Sequence, residues 1–278
     1  MDGIQNLPQN DCCGGVFALP CVLSLMGSPF GDDMLRQAIP SGSSLHTNHL
    51  LMKIWNGVTF FMALIIFDFD GVLADTLNDL IQFGQEVCDE LGVKHVVNKN
   101  DLSNLEIMSF ASFGRACEVP EHLVDEFVQR CLKRFAEKKS PPAIFNGLSN
   151  IIRNLAINNT IAIITTNTSQ NVNAFLVEHG LSGCIHAVYG VDSPGSKAQK
   201  ISIARDHLFA DTKREPVFMV GDSLSDIRAA KETTTTSIAV TWGHQSLEHL
   251  LSGDPDYIVN SPHDLIEIIE KKNGRGVF

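Results

Sequence analysis

The stretch Ala63-Leu64-Ile65-Ile66-Phe67-Asp68-Phe69-Asp70-Gly71-Val72 sets five apolar residues directly against two carboxylates. A short continuous apolar run fits a strand buried on both faces, the situation of a parallel sheet covered by helices on each side. Two acids spaced by one residue at its end are costly to bury and are seldom needed for packing, so they point to chemistry. Gly71 permits the chain to turn out of the strand, which lets Asp68 and Asp70 face one centre.

Further along the chain the pattern returns. Ile161 to Ile164 leads into Thr165-Thr166-Asn167, and Val217 to Val220 leads into Gly221-Asp222, with Asp226 four residues on. Ser237 to Val240 and Tyr257 to Val259 offer two further short strands. Between them lie helical spacings, such as Leu148, Ile151, Ile152 and Leu155, or Val172, Phe175 and Leu176, and Leu265 to Lys272 suits a final helix. Strands alternating with helices predict an α/β fold with a doubly wound parallel sheet, in which ligands gather at the carboxyl ends of the strands. Residues 77–140 break the alternation. They carry helical patterns only (Leu80, Ile81, Val87 and Leu91, then Leu123, Val124, Phe127, Cys131 and Phe135) and end at Pro141-Pro142. The expected organisation is a core of residues 62–76 and 141–273, with a small all-helical cap domain of residues 77–140 inserted as a lid over the strand ends.

Four elements carry the chemistry: Asp68-Phe69-Asp70-Gly71-Val72, Thr165-Thr166-Asn167, Lys197, and Gly221-Asp222-Ser223-Leu224-Ser225-Asp226. Each alone reads more readily as a turn, a helix cap or a solvated charge. Together they place three or four carboxylates at one sheet edge, where mutual repulsion raises their pKa values unless a cation sits among them. Ligation by oxygen with no His or Cys nearby points to Mg²⁺. Asp68 can then act as nucleophile and Asp70 as proton shuttle, while Lys197 and the Thr165 hydroxyl hold the oxygens of a phosphoryl group.

The chain from Met62 to about Lys272 resembles a haloacid dehalogenase superfamily phosphatase with a helical cap inserted after the first strand. Asp68-Phe69-Asp70-Gly71-Val72-Leu73 with Asp75 is similar to the family's first motif, Thr165 to its hydroxyl motif, Lys197 in Gly195-Ser196-Lys197-Ala198 to its lysine, and Gly221-Asp222 with Asp226 to its acidic motif. The resemblance implies a Mg²⁺-dependent phosphomonoesterase. Asp68 would attack phosphorus to give an aspartyl-phosphate, and Asp70 would protonate the leaving oxygen and then activate water. Mg²⁺ would be held by Asp68, the Asp70 carbonyl and Asp222, phosphate by Thr165, Thr166 and Lys197, with Gly71, Gly221 and Asp226 in support. Asp70 argues against the dehalogenase and phosphonatase branches, which lack the second aspartate. Ala239 to His244 (AVTWGH) followed by Pro255-Asp256-Tyr257 resembles the phosphoglycolate phosphatase group, making 2-phosphoglycolate a candidate among small phosphorylated metabolites. Two alternatives stay open: a phosphomutase of the β-phosphoglucomutase type, which the Ser109 to Arg115 stretch does not obviously match, and a catalytically silent binding protein on the same fold. In the cap, Arg115 is the cation to watch for a substrate carboxylate, against its plainer reading as a solvated helix residue. His179, His186 and His244 show no chemistry from sequence context.

Composition bounds the rest. The 278 residues carry 21 basic against 32 acidic side chains, a net charge of −11 that disfavours a nucleic-acid binder working through phosphate neutralisation. The first 61 residues hold only four acids and two bases, and Met62 stands immediately before the first strand, so residues 1–61 are expected to be a dispensable or non-native extension. Its apolar runs are a poor secretory signal and too short for the roughly 20 residues of a membrane span. The seven cysteines form no Cys-x-x-Cys pair, which argues against a zinc site or a disulfide framework and for reduced thiols in a cytoplasmic protein.

Overall fold

The computed structural model describes residues 54–55, 58–59, 63–138, 140–208 and 216–272. Two short antiparallel strands, β1 (Ile54–Trp55) and β2 (Val58–Thr59), come first; the expected extension otherwise lies outside the described residues, as do Cys12, Cys13 and Cys21. Then follow β3 (Leu64–Phe67), β4 (Ala74–Asp75), the helices α1 (Leu77–Glu90), α2 (Asn100–Ser103), α3 (Phe110–Ala116) and α4 (Val124–Glu137), and β5 (Ala143–Ile144). The remainder alternates: α5 (Leu148–Ala156), β6 (Thr160–Ile164), α6 (Ser169–Glu178), β7 (Ala187–Tyr189), α7 (Lys197–Leu208), β8 (Val217–Gly221), α8 (Leu224–Glu232), β9 (Thr236–Val240), α9 (Leu247–Ser252), β10 (Tyr257–Val259) and α10 (Pro262–Lys272).

Six strands form one sheet in the order β10-β9-β8-β3-β6-β7, parallel throughout. This is the doubly wound α/β architecture expected from the alternation. Every residue of β3 is fully buried, and its side chains divide by the period of two that a pleated strand imposes. Ile65 and Phe67 join one apolar cluster with residues of α5, α6 and α10, while Leu64 and Ile66 join another with Ile201 and Ala204 of α7 and Ala229 and Ala230 of α8. At about 1.5–3 kcal/mol for each large apolar side chain removed from water, the central strand is fixed from both faces. The strand β7 was not evident in the sequence. At the sheet's edge its three residues are only partly buried, so they lack the continuous apolar signature of the central strands.

The helices α1 to α4 have an apolar centre of their own, comprising Val87, Cys88, Val97, Leu102, Phe113, Cys117, Val119, Val124, Phe127 and Cys131. Glycines bring its aromatic rings close: a Cβ on Gly84 would stand 2.7 Å from Phe113 Cζ, and one on Gly114 2.8 Å from Phe127 Cδ1. On its surface Arg134 pairs with Glu86 at 3.0 Å and with Glu90, and Arg130 with Glu90 at 2.8 Å, tying α1 to α4. The chain leaves and re-enters the core through β4 and β5, which pair antiparallel with Ala74 opposite Ile144 and Asp75 opposite Ala143. Segment 103–106 of this helical insertion rests on the sheet-bearing part of the chain: Ser246 N donates to Ser103 O at 2.8 Å, Gln245 Nε2 to Leu105 O at 2.7 Å, and Arg228 Nη2 to Glu106 Oε2 at 2.8 Å. Among the described residues no helix is long and apolar enough to cross a membrane.

Candidate active site

The strand order reverses at β3, whose neighbours are β6 on one side and β8 on the other, and a doubly wound sheet opens its crevice at such a point. Phe67 stands opposite Val220 in register, and Asp68 N extends the ladder by donating to Val220 O at 2.9 Å. Asp68 and Asp222 therefore leave adjacent strand ends together. Gly71 takes φ +76°, a left-handed conformation that favours glycine, and a Cβ there would lie 2.0 Å from Asp222 Oδ2. A Cβ on Gly243 would likewise lie 2.4 Å from Asp222 Cβ and from its Oδ2. Asp222 thus occupies space that both glycines leave open.

Lys197, the first residue of α7, donates to Asp68 Oδ2 at 2.8 Å and to Asp226 Oδ1 at 2.6 Å. The other oxygen of Asp68 accepts from Phe69 N at 2.7 Å. Asp226 Oδ2 accepts from Ser223 N at 3.1 Å and Ser223 Oγ at 2.5 Å, the capping box that starts α8. Gly221 is what lets this acid fold back under the strand end, since a Cβ at that position would meet Asp226 Cβ at 2.2 Å. On the β6 side, Thr165 is buried and its Oγ1 accepts from Asn167 N at 3.0 Å, while Asn167 Nδ2 donates to Asp70 Oδ2 at 3.1 Å. Thr166, next in the chain, is exposed.

Asp68, Asp222 and Asp226 offer carboxylate oxygens within 4.8 Å of one another. Burial pushes the Asp68 carboxyl up, with Lys197 opposing and the Asp222 charge adding to the rise. Burial likewise raises Asp70 against the Asn167 hydrogen bond, and lifts Asp226 to about 7 despite Lys197. Asp222 moves the other way: burial acts to raise it, but the His244 charge and the hydrogen bonds from His244 hold it below the usual carboxylate range. Lys197 is kept charged because its two carboxylates outweigh the cost of its burial. Crowded buried carboxylates offering only oxygen, with a single lysine among them, fit a hard divalent cation.

Two residues with no assigned role in the sequence belong to this cluster. His244 is buried, its backbone N donating to Asp222 Oδ2 at 2.8 Å, its Nδ1 3.2 Å from the same oxygen and its Nε2 3.2 Å from Thr76 Oγ1. Asn167 holds Asp70. A lone histidine 22 residues past Asp222 gives no spacing signal; only the Ala239 to His244 stretch hinted at it. Arg115, by contrast, pairs with Glu121 at 2.6 Å on the cap surface with half of its side chain exposed, the plainer of its two readings. His179 Nε2 bonds Pro142 O at 3.0 Å and His186 Nδ1 accepts from Ile161 N at 3.2 Å, both structural contacts.

Residues 65–240 match the sequence profile of haloacid dehalogenase-like hydrolases. A phosphoglycolate phosphatase of Synechococcus elongatus is 26% identical over 211 residues, covering 75% of this chain and 97% of its own length. Its namesake from Vibrio vulnificus is 24% identical over 74% of this chain and 95% of its own. Among solved structures, a haloacid dehalogenase-like hydrolase from Streptococcus pneumoniae superposes with a TM-score of 0.64 at 22% identity, covering 74% of this chain and 98% of its own. A predicted phosphoglycolate phosphatase from Haemophilus somnus gives 0.61 at 19%, over 74% and 97%. These two structural likenesses bear on the fold.

Proposed function

Since this chain belongs to the haloacid dehalogenase-like hydrolase family, and is a phosphoric monoester hydrolase by that kinship, we propose that it acts with Mg²⁺ on a small phosphomonoester through an aspartyl-phosphate. The observation that carries the reading is the arrangement around Asp68: one oxygen held by Phe69 N and the other by Lys197, at the mouth of the central strand. A carboxylate so fixed is oriented for attack on phosphorus.

Asp70 supplies the proton to the leaving oxygen and afterwards takes one from water. Its burial favours the protonated form that this first role requires. Asn167 fixes which way its carboxyl points. Lys197 and Thr165 are the groups for the phosphoryl oxygens, and Thr166 is assigned there by motif alone. Mg²⁺ would be held by Asp68, the Asp70 carbonyl and Asp222, where it would offset the charge of the phosphoryl group. Asp226 has both oxygens engaged by Lys197 and Ser223, so its part is to hold Lys197.

The names of the curated relatives support 2-phosphoglycolate as the substrate. The acidic balance of the chain and its cap favour a small metabolite over a polyanion, and the four free cysteines among the described residues a cytoplasmic setting. The test is turnover of a panel of phosphorylated acids and sugars by the purified protein with Mg²⁺, with EDTA and as Asp68→Asn. Release of inorganic phosphate, fastest from 2-phosphoglycolate and absent in the two controls, is the expected result. No turnover of any panel member with Mg²⁺ present overturns the reading.

A further inference from the structure

Building on the reading above, we propose that His244 is a positioning residue: it clamps Asp222 for the metal, with its ring held from the far side by Thr76. The argument rests on contacts. The backbone hydrogen bond from His244 and the contact of its Nδ1 at 3.2 Å both fall on Asp222 Oδ2, so the carboxylate is held by one oxygen while Oδ1 is left for an ion. Gly71 and Gly243 both approach that oxygen, where a Cβ would lie 2.0 and 2.4 Å from Oδ2, so a side chain at either position would displace the carboxylate. The other end of the imidazole meets the Thr76 hydroxyl at 3.2 Å. Thr76 stands just before α1, at the point where the chain enters the cap helices, and its side chain caps nothing on that helix. The ring and the hydroxyl are both almost fully buried. The imidazole thus has a partner at each nitrogen, and a ring fixed in this way orients the carboxylate it touches.

The two nitrogens can be tested apart. Asn in place of His244 carries an amide near the position of Nδ1, and Gln carries one near Nε2. Magnesium affinity is read by isothermal titration calorimetry and by Mn²⁺ electron paramagnetic resonance, neither of which needs turnover; kcat and KM are read with p-nitrophenyl phosphate. For His244→Leu, which still offers its backbone N–H to Asp222, the Mg²⁺ dissociation constant should rise about 10- to 100-fold. His244→Asn should bind Mg²⁺ more tightly than His244→Gln. Thr76→Val, which leaves Nε2 without this partner, should weaken Mg²⁺ binding less than His244→Leu does. Equal Mg²⁺ affinity in His244→Leu and the parent overturns the proposal. If the Leu variant fails to fold, equal affinities of the Asn and Gln variants overturn it instead. Turnover by the parent separately tests the phosphatase reading, because Mg²⁺ binding by the variants is measured whether or not p-nitrophenyl phosphate is hydrolysed.

Discussion

Lys197 Nζ lies 2.6 Å from Asp226 Oδ1, and the far oxygen of that aspartate is bound by the start of α8. The lysine is therefore anchored to a helix terminus and presented to Asp68 from a fixed point. This separates the two acids after β8. Asp222→Asn should abolish measurable Mg²⁺ binding, whereas Asp226→Asn should leave the Mg²⁺ dissociation constant within about threefold of the parent and lower kcat about 10- to 100-fold. Calorimetric Mg²⁺ titration beside steady-state kinetics on both variants checks the pair; the reverse pattern would move Asp226 into the metal's ligand set.

Under the proposed mechanism, in which Asp68 would be the nucleophile and Asp70 the proton carrier, the two should fail differently. Asp68→Asn removes the nucleophile, and kcat should drop at least about a thousandfold with no phosphorylated protein formed. Asp70→Asn keeps the nucleophile but not the proton carrier, so kcat should fall about 10²- to 10⁴-fold, and phosphoryl transfer to Asp68 from a substrate with a good leaving group should outlast its hydrolysis. Acid-quench trapping with labelled substrate distinguishes the two.

In the cap, a methyl group at position 114 would meet the ring of Phe127 at 2.8 Å. Gly114→Ala should destabilise the protein by about 1–3 kcal/mol through overpacking, despite the better helix propensity of alanine. Urea denaturation followed by circular dichroism measures it; a variant as stable as the parent would show that the ring yields freely.

Asp256 accepts from Ser237 N at 2.8 Å and Ser237 Oγ at 2.7 Å, linking the segment before β10 to β9. Burial alone would raise its pKa, but these hydrogen bonds outweigh burial and leave it below the usual carboxylate range. A depressed folded-state pKa means that the stabilisation is present above the unfolded value, near 4, and fades as pH falls through the folded one. Relative to Asp256→Ala, the parent should therefore gain melting temperature at pH 7 and lose that advantage progressively below pH 4. An advantage independent of pH would assign the effect to packing.

The central strands were legible because burial on both faces leaves a strand no polar positions: Ile65 and Ile163 could be read without partners. The edge strand β7 was not, since one neighbour and partial burial impose little on Ala187 to Tyr189. Asp68, Asp222 and Lys197 announced themselves as charges that packing does not need. Asn167 and His244 did not, because an amide or an imidazole is at home in a turn, and what gives each its part is an approach across 97 or 22 residues that only the folded sheet brings about. The two-stranded pairing of β4 with β5 was likewise invisible, being two residues long on each side.

That small pairing has a wider consequence. Because the points of departure and return are hydrogen-bonded neighbours, the sixty-odd residues between them close a loop whose ends the core already holds together. The core's strand register asks nothing of what lies between Asp75 and Ala143 except that it start and finish side by side. A segment with its own apolar centre can then be exchanged as a cassette; under the proposed function, that would let the choice of leaving group change in evolution or design while the groups around Asp68 stay where they are.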